Sequence, residues 1–314
     1  MTPVGRTDRA VTLLSGGGGG AKLADGLARA TAGLTVVVNT ADDAVLYGLS
    51  VSPDVDTVMY TLAGRVNPQT GWGVVDETFT TLTTMAALGE DIWFRLGDRD
   101  LATHILRTQR LRDGATLSEV TAQLCTALGV APRVLPMTND PVATRVATAA
   151  GTMSFQEYFV GRQHRDEVHG ISFAGIDGAR PAPGVLPALT DADVVVLGPS
   201  NPFVSIGPIL AVPGVRAALA ASSAHRVAVS PIVGGGALKG PAAAMLASLG
   251  HEVSPLGVAR LYGGLVDTFV LDELDAQLAP AVEDLGMSVL VTRTVMATAS
   301  DRELLAGELL AAAA

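Results

Sequence analysis

The chain has a single cysteine, Cys125, in 314 residues, so an internal disulfide framework is excluded and a reducing compartment fits. Cys125 falls into the helical spacing Leu117, Val120, Leu124, Leu128, which makes it a core residue rather than a reactive thiol. Basic residues are also scarce. With 21 Lys and Arg against 31 Asp and Glu, the net charge is −10, which argues against nucleic acid or an anionic membrane surface as the main partner. Any phosphate site must therefore be local. No apolar run reaches transmembrane length, and Met1 to Arg9 is too short and polar to hold a signal h-region. The expectation is a soluble, cytoplasmic chain. Aromatic residues make up only 4%.

Alanine, valine, leucine and glycine dominate, and 48% of the chain is apolar. That composition suits parallel strands buried on both faces between helices. The length allows one large core, or a core with a smaller satellite. Buried strands are expected at Val11 to Leu14, Leu34 to Val38, Val194 to Leu197 and Val227 to Val229, with weaker ones at Val134, Val142 to Ala147 and Phe155 to Val160. Helices are expected over Ala21 to Ala30, Glu77 to Leu88, Asp100 to Gln109 and Leu117 to Leu128, the last starting at Ser118 behind Thr116 or Leu117. The expected architecture is α/β, a Rossmann-like and mostly parallel sheet flanked by helices. It forms one domain over residues 1–314, with a smaller helical insertion at 76–130.

Two segments carry chemistry. The first is Ser15 followed by Gly16, Gly17, Gly18, Gly19 and Gly20, between a strand and a helix. Such a loop lets backbone N–H groups and the positive end of a helix approach an anion without Cβ atoms in the way. A diphosphate is the natural ligand, and a tight, unliganded turn is the alternative. A Walker loop is excluded, because Lys22 stands between Ala21 and Leu23. An NAD-type fold is disfavoured, because Asn39 stands where a ribose-binding acid would follow the second strand. The second segment, Asn39-Thr40-Ala41-Asp42-Asp43 with Ser52-Pro53-Asp54-Val55-Asp56-Thr57, brings four carboxylates near the glycine loop. Hard divalent cations use one or two such groups together with phosphate oxygens. The alternative is turn-making and capping, with Asp56 capping a helix that begins at Thr57.

Beyond these general signals, the runs Asn39 to Asp43 and Gly48 to Gly64, with Trp93-Phe94-Arg95-Leu96-Gly97-Asp98-Arg99-Asp100, resemble the 2-phospho-L-lactate transferase family of the CofD type. Phe155-Gln156-Glu157-Tyr158 and Gly198-Pro199-Ser200-Asn201-Pro202, with Ser205 to Leu210, follow the same family in order. The Pro-Asp-x-Asp-Thr and Pro-Ser-Asn-Pro elements are the specific ones. The resemblance implies transfer of a phospholactyl, phosphoenolpyruvyl or phosphoglyceryl group from a guanosine diphosphate-linked donor to a ribityl hydroxyl of the deazaflavin Fo. The product is a form of F-420-0, and GMP leaves.

The same resemblance implies roles for particular residues. Gly16 to Gly20, Lys22, Ser200 and Asn201 would hold the donor. Asp42 and Asp56 would bind Mg²⁺, and Asp42, Asp54 and Asp56 would form the catalytic set. Asn39, Thr40, Asp43, Trp93 and Asp98 would face Fo, with Asp54 or Asp43 as the proton acceptor. Trp93 and Phe94 as core packing, and Asp98 to Asp100 as a helix-start ion pair, are the competing assignments. Relatives suggest a homodimer, with Leu304 to Ala314 as a packing helix. The chain departs from the family in a fifth glycine and in Leu46, where a histidine is common nearby. A related type, the UDP-sugar-binding gluconeogenesis factors, shares the glycine loop but lacks Pro-Asp-x-Asp-Thr.

Overall fold

The computed structural model describes residues 6–314, so the first five residues of the Met1 to Arg9 segment lie outside the described residues. Seven strands form one sheet: Thr7–Ser15 (β1), Thr31–Val38 (β2), Arg133–Pro136 (β3), Val194–Leu197 (β4), His225–Val229 (β5), Thr268–Asp272 (β6) and Ser288–Thr292 (β7). All neighbouring pairs are parallel, in the order β7-β6-β5-β4-β1-β2-β3. The chain starts mid-sheet, builds outward through β2 and β3, then returns beside β1 and builds the other half. This is the doubly wound order, and its switch point lies between β1 and β4. The register sets Leu13 opposite both Val36 and Val196.

Neighbouring strand residues enter two different cores. Leu14, Val37, Val195, Leu197 and Leu271 belong to one, and Leu13, Val36, Val38, Val196 and Val270 to the other. This two-sided burial explains why the strands read as unbroken apolar runs rather than alternating ones. The second core is covered by helices Gly17–Ala30 (α1) and Pro53–Leu62 (α2) and by the C-terminal helix Ala299–Ala312.

Several expectations are corrected. Helix α1 begins at Gly17, not Ala21, so four glycines form its first turn. Helix α2 begins at Pro53, with Ser52 at the cap position, so Asp56 does not cap a helix starting at Thr57. Phe155 to Val160 is not a strand: Glu157–Gly161 is a π-helical turn. Phe155 and Phe159 stack with centroids 5.4 Å apart, a contact that residues four apart make on a helical turn and not along an extended strand.

The segment joining β2 to β3 holds Thr80–Ala87 (α3), Asp98–Arg112 (α4) and Leu117–Ala127 (α5). Helix α5 starts in a capping box of Thr116 and Glu119 and sends Val120, Leu124 and Cys125 into the sheet's second core. The α4 residue Leu101 instead joins Leu46, Val51 and Leu96 in a small separate core. The C-terminal helix lays Leu305, Ala306, Leu309 and Leu310 into the second core of its own chain. There Arg302 meets Asp25 at 3.1 Å, and a Cβ on Gly26 would collide with the Arg302 carbonyl. Its apolar face is therefore not available as the dimer-packing surface expected of Leu304 to Ala314. Among the described residues no single helix is long and apolar enough to cross a membrane.

Candidate active site

The carboxyl ends of β1, β2 and β4 meet at the switch point. β1 runs into Gly16, β4 into the turn Gly198 to Pro202, and β2 into Asn39. Asn39 organises this crevice and is fully buried. Its backbone N–H donates to Ser15 O at 3.0 Å. Its side-chain amide lies 3.0 Å from Asp42 Oδ2, 3.0 Å from Asp54 Oδ2 and 3.2 Å from Val204 O. One amide thus gathers two carboxylates from separate elements. Asp54 Oδ1 in turn accepts the Gly17 N–H at 2.8 Å, which puts a carboxylate at the positive end of α1.

The glycines are set by close approach. A Cβ on Gly16 would sit 2.6 Å from Ser205 Cβ and 2.8 Å from Asp54 Oδ2; on Gly19 it would sit 2.5 Å from Pro199 O; on Gly20 it would collide with the Ser15 hydroxyl. Gly17 has φ +66°. Glycine is a poor helix former, by about 1 kcal/mol per residue relative to alanine; close approach explains Gly19 and Gly20 in the first turn of α1, the positive φ explains Gly17, and nothing in the structure requires glycine at Gly18. The Ser200 hydroxyl donates to Gly16 O at 2.8 Å and receives the Gly16 N–H at 3.2 Å. Asn201 accepts from the Phe203 N–H at 2.9 Å and the Val204 N–H at 3.4 Å, and lies 3.3 Å from Met245 Sδ. Both side chains assembled under donor binding thus hold the floor of the crevice: Ser200 ties down the glycine turn, and Asn201 caps the next turn.

The crevice carboxylates share one electrostatic condition. Burial, and then the charge of Asp54, holds Asp42 well above the usual carboxylate range. Burial does the same to Asp43, offset in part by the Ser52 hydroxyl and the Arg107 charge. Burial pushes Asp54 up to about 6, with hydrogen bonds from Asn39 and Gly17 pulling the other way. Asp42 Oδ1 and Asp43 Oδ1 are buried with no partner at hydrogen-bonding distance, and the buried Thr144 hydroxyl stands near enough to Asp42 to pull against its upward shift. Unsatisfied, desolvated carboxylate oxygens suit a hard cation that uses one or two protein ligands and takes the rest from substrate and water. No cluster of three or more metal-ligating side chains exists among the described residues, and a phosphate-completed magnesium site does not need one.

Asp56, paired above with Asp42 as a metal ligand, belongs elsewhere. Both its oxygens meet the guanidinium of Arg107, a fully buried side chain, with Nη1 to Oδ2 at 3.0 Å and a second, shorter contact from Nη2. His104 and Asp100 continue this network, with His104 Nε2 3.2 Å from Asp100 Oδ1, and the Tyr60 hydroxyl donates to the same oxygen at 2.7 Å. Asp98 is likewise committed: it accepts the Thr78 hydroxyl at 2.6 Å and the Thr80 and Thr81 N–H groups at 2.9 Å, at the start of α3. Those three donors hold its carboxyl well below the ordinary range. The arrangement is a helix cap. Lys22 turns to the C-terminal segment and donates to Met296 O at 2.9 Å.

Thr40 is buried beneath the crevice, with its carbonyl accepting the Asp43 N–H at 3.2 Å. Trp93 is partly exposed, packs edge-on to Phe94 at 5.6 Å, and borders Gly161 at the end of the π-helical turn. The same turn region supplies Gln156, whose side-chain amide donates to the Asp42 carbonyl at 3.0 Å. Sequence reasoning missed Gln156, Ser205, Thr144 and Arg107. The first two lie inside quoted motifs, whereas nothing local marks Thr144 or Arg107. A cavity of about 450 Å³ lined by Tyr60, Arg65, Val74, Arg99 and Thr103 opens beside the later turns of α2. Asp54, in the first turn, does not line it, and none of the crevice carboxylates takes part.

A doubly wound parallel sheet with a glycine-lined helix start and carboxylates at its switch point defines a phosphate-handling α/β enzyme. Residues 11–291 match the family model described as 2-phospho-L-lactate transferase CofD, and the chain belongs to that transferase family. It is 48% identical over 285 residues to a phosphoenolpyruvate transferase of Streptomyces griseus, covering 88% of this chain and 90% of that one. It is 46% identical to a phosphoenolpyruvate transferase of Thermobifida fusca, covering 86% and 88%. It is 41% identical to a 2-phospho-L-lactate transferase of Methanosarcina mazei, covering 93% and 97%. The fold is shared with protein BH3568 of Bacillus halodurans, a member of the UPF0052 family, at a TM-score of 0.64 and 19% identity over 96% of this chain and 99% of that one.

Proposed function

We propose that the chain acts in coenzyme F-420 formation, moving a phosphoenolpyruvyl or 2-phospholactyl group from a guanosine diphosphate-linked donor to the terminal ribityl hydroxyl of Fo. The hydroxyl oxygen forms a new bond to phosphorus, the phosphorus–oxygen bond to GMP breaks, and the hydroxyl proton passes to a carboxylate. The observation that carries this reading is the pair Asp42 and Asp54, gathered by one amide at the start of α1, with Asp42 Oδ1 left unsatisfied. The donor diphosphate would lie at the first turn of α1, where backbone N–H groups and the helix dipole favour an anion. Asp42 with Asp54, rather than Asp56, would hold Mg²⁺. When bound, Mg²⁺ supplies charge neutralisation to the diphosphate.

The protein's own part is positioning. Asn39 fixes both carboxylates, Ser200 fixes Gly16, and Gln156 fixes the Asp42 backbone. Asp43 would take the proton, since a carboxyl raised toward neutrality is matched to that task. Trp93 would give the deazaflavin an apolar wall. The higher identity to the two phosphoenolpyruvate transferases than to the M. mazei lactate enzyme makes the enolpyruvyl donor the first to test.

The test incubates purified protein with Fo, Mg²⁺ and each of the enolpyruvyl, lactyl and glyceryl donors, with and without EDTA, and follows F-420-0 species by mass spectrometry. Metal-dependent product is expected. No product from any donor, with a UDP-sugar retained instead, would replace this reading with that of a UDP-sugar-binding regulator.

A further inference from the structure

Beside the first turn of α1 the chain forms a tight strap between Val66 and Val74, which bridge antiparallel. The Gly71 N–H donates to Asn67 O at 2.8 Å, and the Asn67 N–H donates to Gly73 O at 3.0 Å. Trp72 stands between Gly71 and Gly73, whose φ values of +78° and +69° favour glycine. Its side chain is 51% exposed, and no aromatic ring pairs with it among the described residues. A large ring left open on an ordered strap is surface a ligand can cover.

The strap lies against the candidate phosphate site. A Cβ on Gly18 would be 3.5 Å from Gly71 O, so the strap borders the turn of α1 that offers its N–H groups. From the loop after β5, Lys239 Nζ donates to Thr70 O at 3.1 Å, tying that loop to the strap. Lys22 lies close by: burial, then Arg302 and Lys239, lower its pKa. Lys239 thus stands at the strap beside Gly71, on this flank of α1, in a chain of net charge −10.

We infer that Trp72 is the stacking platform for the base of a nucleoside diphosphate whose phosphates lie at the start of α1, with Lys239 beside them. This rests on the donor proposed above. An aromatic ring on a strap that borders Gly18 in the first turn of α1 and holds Lys239 offers the three kinds of contact such a ligand needs, and an indole face accepts any base without hydrogen-bond readout.

The chain has two tryptophans, Trp72 and Trp93, so a Trp93→Phe variant leaves Trp72 as the sole indole reporter. GDP titrated into that variant is expected to quench emission saturably, at the Kd that calorimetry gives for the same protein. Trp72→Ala is expected to weaken GDP binding about tenfold, with Trp72→Phe recovering most of it. Lys239→Gln is expected to weaken binding and flatten its salt dependence. The inference is overturned if GDP binds by calorimetry while Trp72 emission stays constant and Trp72→Ala keeps the original Kd. No GDP binding to the unaltered protein is a different result, which removes the donor reading and this inference together.

Discussion

Asp54 and Asp56 are two residues apart on α2, yet they sit in opposite electrostatic surroundings. On one side of the helix, Asp56 meets the buried Arg107, and Asp100 meets His104 and Tyr60. Burial alone would raise Asp100, but the hydrogen bond and charge of His104, with Tyr60, bring it below its ordinary value. On the other side, Asp42, Asp43 and Asp54 are held above theirs, and two of their oxygens lack partners. The paired set fastens α4 to α2. The unpaired set carries a cost to stability that a substrate-bound cation would relieve. A buried carboxylate with its own cation is structure; one without is a site.

The sharpest way to break this comparison is Asp42→Asn. It is expected to reduce turnover at least 10³-fold with circular dichroism preserved and Tm no lower than the parent's, whereas full activity would remove the metal assignment; Asp43→Asn, losing only the base, is expected to fall by about 10²–10⁴-fold. On the paired side, Arg107→Met leaves Asp56 buried without a counter-charge, which costs about 3–5 kcal/mol and lowers Tm by roughly 5–8 °C. Adding Asp56→Leu should recover much of that loss, and a single variant as stable as the parent would show that the pair is not structural.

A smaller effect separates the sides by pH. Asp54 is raised in the folded state, so its stabilising contribution is present below the unfolded value near 4 and is lost as pH rises through about 6. Asp54→Asn is therefore expected to melt ~2–4 °C above the parent at pH 7 and level with it at pH 4 in the absence of metal. Magnesium plus GDP should narrow the pH 7 gap by stabilising only the parent. The smallest effect concerns the cap. Asp98→Ala should loosen α3, seen as faster amide exchange over Thr80–Ala87, while the KM for Fo changes less than threefold. A tenfold rise in KM would return Asp98 to the substrate.

Much of the candidate site was legible because its residues are consecutive. Gly16 to Gly20 follow a strand, and Asn39 to Asp43 close the next one, so parallel-sheet logic alone sends both to the same edge. The identity of the second carboxylate was not legible. Asp54 and Asp56 occupy one motif, and only the direction of α2 relative to α4 sends Asp56 to Arg107, 51 positions later in the chain. Ser200 and Asn201 lie at the crevice, where their hydrogen bonds serve the turns themselves. The C-terminal strands β6 and β7 left no clear pattern, since their apolar runs, Phe269 to Leu271 and Val289 to Val291, are only three residues long between Thr268, Asp272, Ser288 and Thr292.

The sequence by itself determined the α/β class, the order of strand, glycine turn and helix, and the family, because local periodicity and contiguous motifs carry that information. The tertiary structure alone decided which carboxylates have a counter-charge, that four glycines belong to a helix, and that the C-terminal helix is consumed within its own chain. Burial and pairing are properties of residues distant in sequence, and a carboxylate's protonation and availability depend on those neighbours far more than on its own position in a motif.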